Sequence, residues 1–170
     1  TREVGLFLCC MLFFTSAAAE DLKKRVVHLN SYEDGYLWSD SLLEGLRDAL
    51  KETPFVVDLH VEYMDTKRYT EAGLRSRLVD LYLYKYADLA VDAVVVSDDY
   101  AFDFILAYRD LLFPGVPVVF CGVNDYKPSR IEGMKKITGV AESFRAVENM
   151  ELALSLLPLT RRMVVVGDES

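Results

Sequence analysis

The stretch VVVSDDY, residues 94–100, changes abruptly from β-branched apolar side chains to a hydroxyl, two carboxylates and an aromatic ring. Valine favours strands, and an uninterrupted apolar run is typical of a strand buried on both faces. Strands of that kind belong to parallel sheets that are covered by helices. Because ligands bind beyond the carboxyl ends of the strands in such open sheets, Ser97, Asp98 and Asp99 are candidates for a binding site.

Segments with the pattern of a strand alternate with segments of helical periodicity on both sides of this stretch. The predicted strands cover residues 25–32, 55–65, 90–99, 116–124, 135–143 and 161–170, and the predicted helices cover residues 40–50, 69–89, 100–113 and 144–158. The segment 55–65 alternates apolar and polar residues, as a strand near a sheet edge does. The order predicts an α/β fold, an open parallel sheet with helices on both faces.

The apolar spacing within the predicted helices indicates which side chains face the core. We expect these to be Leu42, Leu43, Leu46, Ala49, Leu50, Leu74, Leu78, Leu81, Phe104, Ile105, Tyr108, Leu111, Leu112, Val147, Met150, Leu154 and Leu157. Ser39 or Asp40 is the expected cap of the first helix, because Ser and Asp are favoured at that position. For the same reason, Ser97 or Asp98 is expected to cap the third helix.

The composition limits the class of partner. The chain has 170 residues, 52% of them hydrophobic and 27% charged, which is typical of a globular domain with a core of its own. The net charge of −8 disfavours a nucleic-acid partner, which selects a basic surface. It also disfavours attraction to an anionic membrane surface.

The N-terminal segment differs from the rest, because residues 4–19 carry no charge. The run is shorter than the roughly 20 residues of a spanning helix, and it ends in small residues that include Ala17-Ala18-Ala19. A cleaved signal peptide and an uncleaved membrane anchor both fit, and the A-x-A pattern favours the first. Either predicts a periplasmic or other extracytoplasmic location. We therefore divide the chain into this segment (1–19), a first lobe (20–143), and the crossover helix and first strand of a second lobe (144–170).

Sequence motifs exclude several chemistries. Cys9 and Cys10 lie in the N-terminal segment and Cys121 is then alone, so no disulfide framework or zinc site is expected. Neither a dinucleotide-binding G-x-G-x-x-G, nor a P-loop, nor a G-x-S-x-G elbow is present. We expect no cofactor, no resident metal and no catalytic residue. The alternative is a metal-dependent α/β enzyme that uses Asp65, Asp98 and Asp99.

Each predicted strand ends in small or polar residues, which allow a ligand to approach and form hydrogen bonds. The candidate ligand-binding residues are Asn30, Ser31, Tyr32, Tyr36, Trp38, Asp65, Ser97, Asp98, Asp99, Gly122 and Asn124. Asp98 or Asp99 could hold a ligand ammonium group, or could only cap the helix. The aromatic residues could form a stacking wall, or could only pack the first loop.

Taken together, these stretches resemble the substrate-binding proteins of ABC transporters, in the subfamily related to aromatic amino-acid uptake. The resemblance is stronger to extracytoplasmic sensor domains of that type in bacterial histidine kinases and diguanylate cyclases. It is carried by LNSYEDGYLWSDSLLEGL (29–46), VEYMDTKRY (61–69), VVVSDDYAFDFIL (94–106), FPGVPVVFCGVND (113–125), ITGVAES (137–143) and RRMVVVGD (161–168).

The resemblance implies a two-lobed, periplasmic-binding-protein-like fold whose Rossmann-like lobes close on a ligand in the cleft. Most of the second lobe would be missing from these residues. The implied cleft residues are Ser31, Tyr32, Trp38, Asp65, Ser97, Asp98, Gly122 and Asn124. The implied ligand is a small molecule such as an amino acid or an aromatic compound, and the implied partners are a membrane permease or fused signalling domains. A scaffold lobe that binds another protein is a third hypothesis.

Overall fold

Five strands and four helices form the part of the chain that the computed structural model describes, namely residues 23–124, 126–143 and 145–166. The strands are β1 (Lys23–Asn30), β2 (Val56–Tyr63), β3 (Ala93–Ser97), β4 (Val118–Val123) and β5 (Ile137–Ala141). The helices are α1 (Leu37–Lys51), α2 (Leu74–Tyr86), α3 (Asp98–Leu112) and α4 (Ala146–Leu156), and a short 3₁₀ helix covers Pro128–Ile131. The predicted export segment, 1–19, lies outside the described residues.

The strands form one sheet in the order β2-β1-β3-β4-β5, and every neighbouring pair is parallel. The predicted α/β class is therefore confirmed, and β2 lies at an edge as expected. From β1 the chain first crosses to β2 on one side, and all later crossovers run toward the other side. This reversal leaves a crevice between the carboxyl ends of β1 and β3, where ligands bind in sheets of this order.

The main core lies between the sheet and helices α2 and α3. Alternate strand residues on this face are buried, as the period of two requires; they include Val27, Leu29, Val94, Val96, Val118 and Phe120. From the helices, the ring of Phe104 meets that of Tyr82 edge-on, with centroids 5.8 Å apart. Burial of each large apolar side chain stabilises the fold by about 1.5–3 kcal/mol. This core holds β1, β3 and β4 in the register that aligns their carboxyl ends.

Helix α1 covers part of the opposite face. Its Leu43 is buried, and Val26 and His28 of β1 are buried on the same side of the sheet. The β4–β5 end of this face is open, because Val119 and Val140 are 40% and 72% exposed. Two helices thus cover one face, and α1 alone covers the β1 side of the other.

The start of α1 differs from the prediction. The helix begins at Leu37, and Tyr36 is its N-cap without a side-chain hydrogen bond. The expected caps, Ser39 and Asp40, therefore lie inside the first turn, where the Ser39 hydroxyl donates to the Tyr36 carbonyl at 3.1 Å. The earlier start carries the aromatic residue Trp38 onto the first turn of the helix.

Some predicted core positions are wrong. Leu81 and Leu111 are exposed large apolar residues, and Ala49 is exposed as well. In α2 the buried stripe runs through Leu78, Val79, Tyr82 and Tyr86 instead. Tyrosine rings bury more apolar area than a leucine side chain does, so the helix turns its tyrosine side toward the sheet.

The C-terminal part also differs from the prediction. Helix α4 is present but has no buried residue, so the predicted core positions Val147, Met150, Leu154 and Leu157 are not in a core. The predicted strand 161–170 is wrong for its described part, since residues 161–166 have no strand structure. A strand needs a neighbour to pair its backbone groups, and none of the described strands pairs with this segment.

Candidate functional site

The hydroxyl of Ser31 joins the tips of β1 and β3. It donates to the carbonyl of Ser97 at 2.8 Å and accepts from the backbone N–H of Ala101 at 2.9 Å. In a regular helix that N–H would bond directly to the carbonyl four residues earlier, which is the carbonyl of Ser97. The hydroxyl therefore lies within the first turn of α3 and attaches it to β1.

Ser97 is the N-cap residue of α3, as predicted, but its side chain makes no capping hydrogen bond. Its hydroxyl instead lies 3.0 Å from Nε2 of His28, below the site. Burial lowers the pKa of His28 to about 4, and the nearby charge of Arg47 lowers it further. His28 is thus neutral at neutral pH and serves as a buried hydrogen-bond partner.

Asn30 completes the floor of the site. Its Oδ1 accepts from the backbone N–H of Tyr32 at 3.0 Å, which fixes the start of the first loop. Asn30, Ser31 and Ser97 are all fully buried. These three predicted site residues therefore lie under the surface that a ligand would touch, and they position the groups around them.

The loop after β2 is attached to the same floor. Thr66 donates to the carbonyl of Ser31 through its backbone N–H at 3.0 Å and through its hydroxyl at 2.8 Å. Asp65, in a left-handed conformation with φ of 55°, directs its carboxylate to Arg68 at 3.5 Å. Asp65 thus pairs within its own loop, whereas Thr66 links that loop to the site.

Asp98 is the carboxylate closest to the crevice between β1 and β3. Its Oδ2 accepts from the Tyr32 hydroxyl at 2.7 Å, and its backbone is left-handed, with φ of 73°. Burial raises the pKa of Asp98, although hydrogen bonds from Tyr32 and from the backbone N–H groups of Asp99 and Tyr100 oppose this. Burial also raises the pKa of Tyr32, and the bond to Asp98 adds to the effect. The Asp98 carboxylate therefore lies half-buried at the start of α3, where it is the hydrogen-bond partner of Tyr32.

Three aromatic residues stand beside Asp98. The ring centroids of Tyr32 and Tyr36 are 4.6 Å apart, and Trp38 meets Tyr32 at 6.0 Å with an interplanar angle of 77°. Trp38, the single tryptophan of the chain, is 37% exposed. The three rings thus form a continuous aromatic surface at the strand tips.

Gly122 lets Trp38 reach across to the tip of β4. Its φ is +64°, and it interrupts the β4–β5 register as a bulge. A Cβ atom at this position would lie 2.5 Å from Cη2 of Trp38, so only glycine leaves room for the indole. The indole therefore lies over the backbone of this strand tip.

Asp99 belongs to the other side of the site. Its Oδ2 accepts from the side-chain amide of Asn124 at 2.8 Å and from the backbone N–H of that residue at 3.3 Å. Arg130 approaches its other oxygen at 3.9 Å, pairs with Asp103, and stacks over the ring of Phe102 at 4.5 Å. Asp99 and Asn124 thus tie α3 to the tip of β4.

The sequence alone did not single out Lys67 and Arg130. The ammonium group of Lys67 lies 5.1 Å from the ring centroid of Tyr32 and 5.5 Å from that of Tyr36. A basic residue directly after the strand tip Asp65-Thr66 is the signal that could have found Lys67. Arg130 is far from any strand tip in the sequence, and only the fold brings it to Asp99.

A groove of about 350 Å³ adjoins the site between the loop after β2 and the first turn of α3. It is bordered by Thr66, Tyr69, Glu71 and Tyr100, and Arg75 lies over the Tyr100 ring at 5.0 Å. Since Thr66 contacts the floor of the site, the groove is continuous with the strand tips.

The carboxylates named for the enzyme alternative do not converge. Asp65 pairs with Arg68, Asp98 with Tyr32, and Asp99 with Asn124. Among the described residues, no group of three or more His, Cys, Asp and Glu side chains could hold a metal ion. The geometry thus gives the metal-dependent alternative no support.

No family model, curated protein or solved structure matches the sequence. The resemblance to substrate-binding proteins and sensor domains therefore stays a prediction, while the α/β fold stands on the structure itself. Within residues 23–124, 126–143 and 145–166, none of the helices has the length and apolar character needed to cross a membrane.

Proposed function

We propose that this chain is a small-molecule binding module that holds its ligand at the carboxyl edge of the sheet, between β1 and β3. The observation that carries the proposal is the hydrogen bond between Tyr32 and the half-buried carboxylate of Asp98 at this crevice, beside an aromatic surface that ends in exposed Trp38. Polar groups of fixed direction next to apolar ring faces are the usual components of a small-molecule site.

The floor of the site supports binding because hydrogen bonds hold its groups in place. The side chain of Ser31 bonds the first loop to the end of β3, that of Thr66 bonds the loop after β2 to Ser31, and that of Asn30 fixes the start of the first loop. A site whose groups are held before the ligand arrives loses little conformational entropy on binding. The residues above this floor, Tyr32 and Trp38, are then free to provide the contacts.

The wider role that we propose is extracytoplasmic. The chain would be the ligand-sensing domain of a bacterial signal-transduction protein that carries a histidine kinase or a diguanylate cyclase, or the solute-binding component of an ABC transporter. Helix α4 supports a second lobe, because apolar residues such as Val147 and Leu156 are exposed there and call for a further packing partner. Enzyme activity would then lie outside this chain.

The test is a ligand screen that follows both thermal unfolding and Trp38 fluorescence, with amino acids, purines and small carboxylates as compounds. A ligand at 100 times its dissociation constant stabilises the fold by about 2.7 kcal/mol, which raises the melting temperature by roughly 10 °C in a domain of this size. We expect Asp98→Ala to abolish the shift. Asp110→Ala, at an exposed carboxylate on the last turn of α3, is the matched control and should retain it.

Two results would count against binding at this edge. One is a ligand whose thermal shift survives Asp98→Ala and leaves the emission of Trp38 unchanged, since it would bind elsewhere. The other is the absence of any shift across the panel for the full-length protein.

A further inference from the structure

The ammonium group of Lys67 occupies the aromatic surface of the site. It lies 5.1 Å from the ring centroid of Tyr32 and 5.5 Å from that of Tyr36, and therefore forms a cation–π contact with both rings. Its neighbour Arg68 turns the other way, toward Asp65 and Glu33. In the part of the chain that the structure describes, Lys67 forms no salt bridge.

This position has a physical cause. The faces of aromatic rings are electronegative and attract cations that come within about 6 Å of the ring centre. The Tyr32 hydroxyl donates to Asp98, which places a carboxylate charge at the hydroxyl edge of the ring that Lys67 faces. Two ring faces with an anion at the edge of one of them attract a positive charge.

The type of cation follows from the groups available. Small metal ions require several oxygen ligands, and the described carboxylates near this surface are not grouped to supply them. Ring faces instead suit a bulky, weakly hydrated cation, and aromatic cages for choline and methylated amines rest on this interaction. Trp38, edge-on to Tyr32 at 6.0 Å, extends the apolar surface beyond the charge.

We propose that Tyr32, Tyr36 and Asp98 form a subsite for an organic cation, a quaternary or methylated ammonium group, and that Lys67 is its internal competitor. In the empty protein the lysine ammonium takes the place of the ligand's charge. The ligand displaces it, and the loop that follows β2 then gains the freedom to rearrange. The inference rests on the function proposed above and names the ligand class.

Because Lys67 competes with the ligand, removal of its charge should strengthen the binding of an organic cation. Loss of Lys67 vacates both rings, so Lys67→Ala should raise the affinity for an organic cation by about two- to fivefold. Lys67→Met, which keeps an apolar stem, should do the same. Lys51→Ala is the matched control, because it removes the same charge from an exposed site at the end of α1 and should leave the affinity unchanged.

The experiment titrates the full-length protein with choline and with tetramethylammonium, followed by calorimetry and by the emission of Trp38. The neutral carbon isostere of choline, 3,3-dimethylbutan-1-ol, reports on shape without charge. We expect choline to bind at least tenfold more tightly than the isostere, Tyr36→Leu to weaken choline several-fold, and Lys67→Ala to strengthen it.

Three outcomes would overturn the inference. They are equal affinity for choline and its isostere, an equal effect of Lys67→Ala and Lys51→Ala, and no binding of either cation to the wild type and the Lys67 variants. If the cations fail while a neutral or anionic compound shifts Trp38 emission in an Asp98-dependent way, only the cation subsite is refuted. If no compound of any class binds, the proposed function is refuted with it.

Discussion

Gly122→Ala tests the central packing contact of the candidate site. At φ of +64° an alanine adopts a left-handed conformation, which costs about 1–2 kcal/mol. Its Cβ would also lie 2.5 and 2.8 Å from two ring atoms of Trp38, so the indole or the strand tip has to move. Overpacking of this kind costs roughly a further 1–3 kcal/mol. We therefore expect a total loss of about 2–5 kcal/mol.

Gly115→Ala separates the two contributions. Gly115 has a similar φ of +74°, but a Cβ there meets nothing within 4 Å. It should show the backbone cost alone, a fall of about 4–8 °C in melting temperature at roughly 4 °C per kcal/mol. Gly122→Ala should fall by about 8–20 °C on the same scale. The difference between the variants measures the contact with Trp38.

The assay is thermal unfolding by circular dichroism, together with the emission spectrum of the single tryptophan. If Trp38 moves away from the strand tip, its emission shifts to longer wavelength in Gly122→Ala and not in Gly115→Ala. Equal melting temperatures and identical spectra for the two variants would refute the packing of Trp38 on Gly122. The aromatic surface would then have no fixed position over β4.

Two further predictions concern the floor and the carboxylate. Burial raises the pKa of Asp98 in the folded state. The stability contributed by this group is therefore fully present below the pKa that it has in the unfolded state, and it is lost as the pH rises through the pKa of the folded state. Asp98→Asn should therefore raise the melting temperature at pH 7, and the gain should shrink as the pH falls toward 3.8, the ordinary pKa of an aspartate. A gain in melting temperature that is independent of pH would show that it does not come from removal of the Asp98 charge. Ser31→Ala removes the bridge to Ala101 and should cost about 1–3 kcal/mol in urea unfolding. Ser41→Ala, at an exposed hydroxyl of α1, should change the free energy of unfolding by less than about 0.5 kcal/mol. Equal losses for the two variants would show that the Ser31 hydrogen bonds add no stability beyond that of an exposed hydroxyl.

The sheet could be predicted from the sequence because its signals are local. Runs such as that at 94–96 are apolar along their whole length, and each is followed within one or two residues by polar groups. The parallel arrangement follows from the alternation with helices, and it brings the strand tips to one edge without any knowledge of individual contacts. The positions of Tyr32, Asp98 and Gly122 at this edge could therefore be predicted from the sequence.

The contact partners of these residues could not be predicted from the sequence, because they come from distant parts of the chain. Ser97 was a reasonable cap by local preference, yet the hydroxyl in the first turn of α3 belongs to Ser31. The rotation of α2 likewise depends on how Tyr82 meets Phe104 of another helix. Helical spacing alone predicted burial for both Leu78 and Leu81, and only the packing of the helix distinguishes the two.

The site divides into a part that folding explains and a part that it does not. Ser31 and Thr66 have side-chain hydroxyls with hydrogen-bond partners and an ordinary structural purpose, and the Oδ1 of Asn30 has one as well, although its buried Nδ2 has no partner among the described residues. Asp98 is different, since its partial burial and left-handed backbone both carry a cost and an asparagine could accept the same hydrogen bond from Tyr32. Trp38 likewise leaves more than a third of its surface in water. A charge kept at some cost beside an exposed aromatic surface is what a binding site requires before its ligand arrives, and it is the reason to look for that ligand among cations.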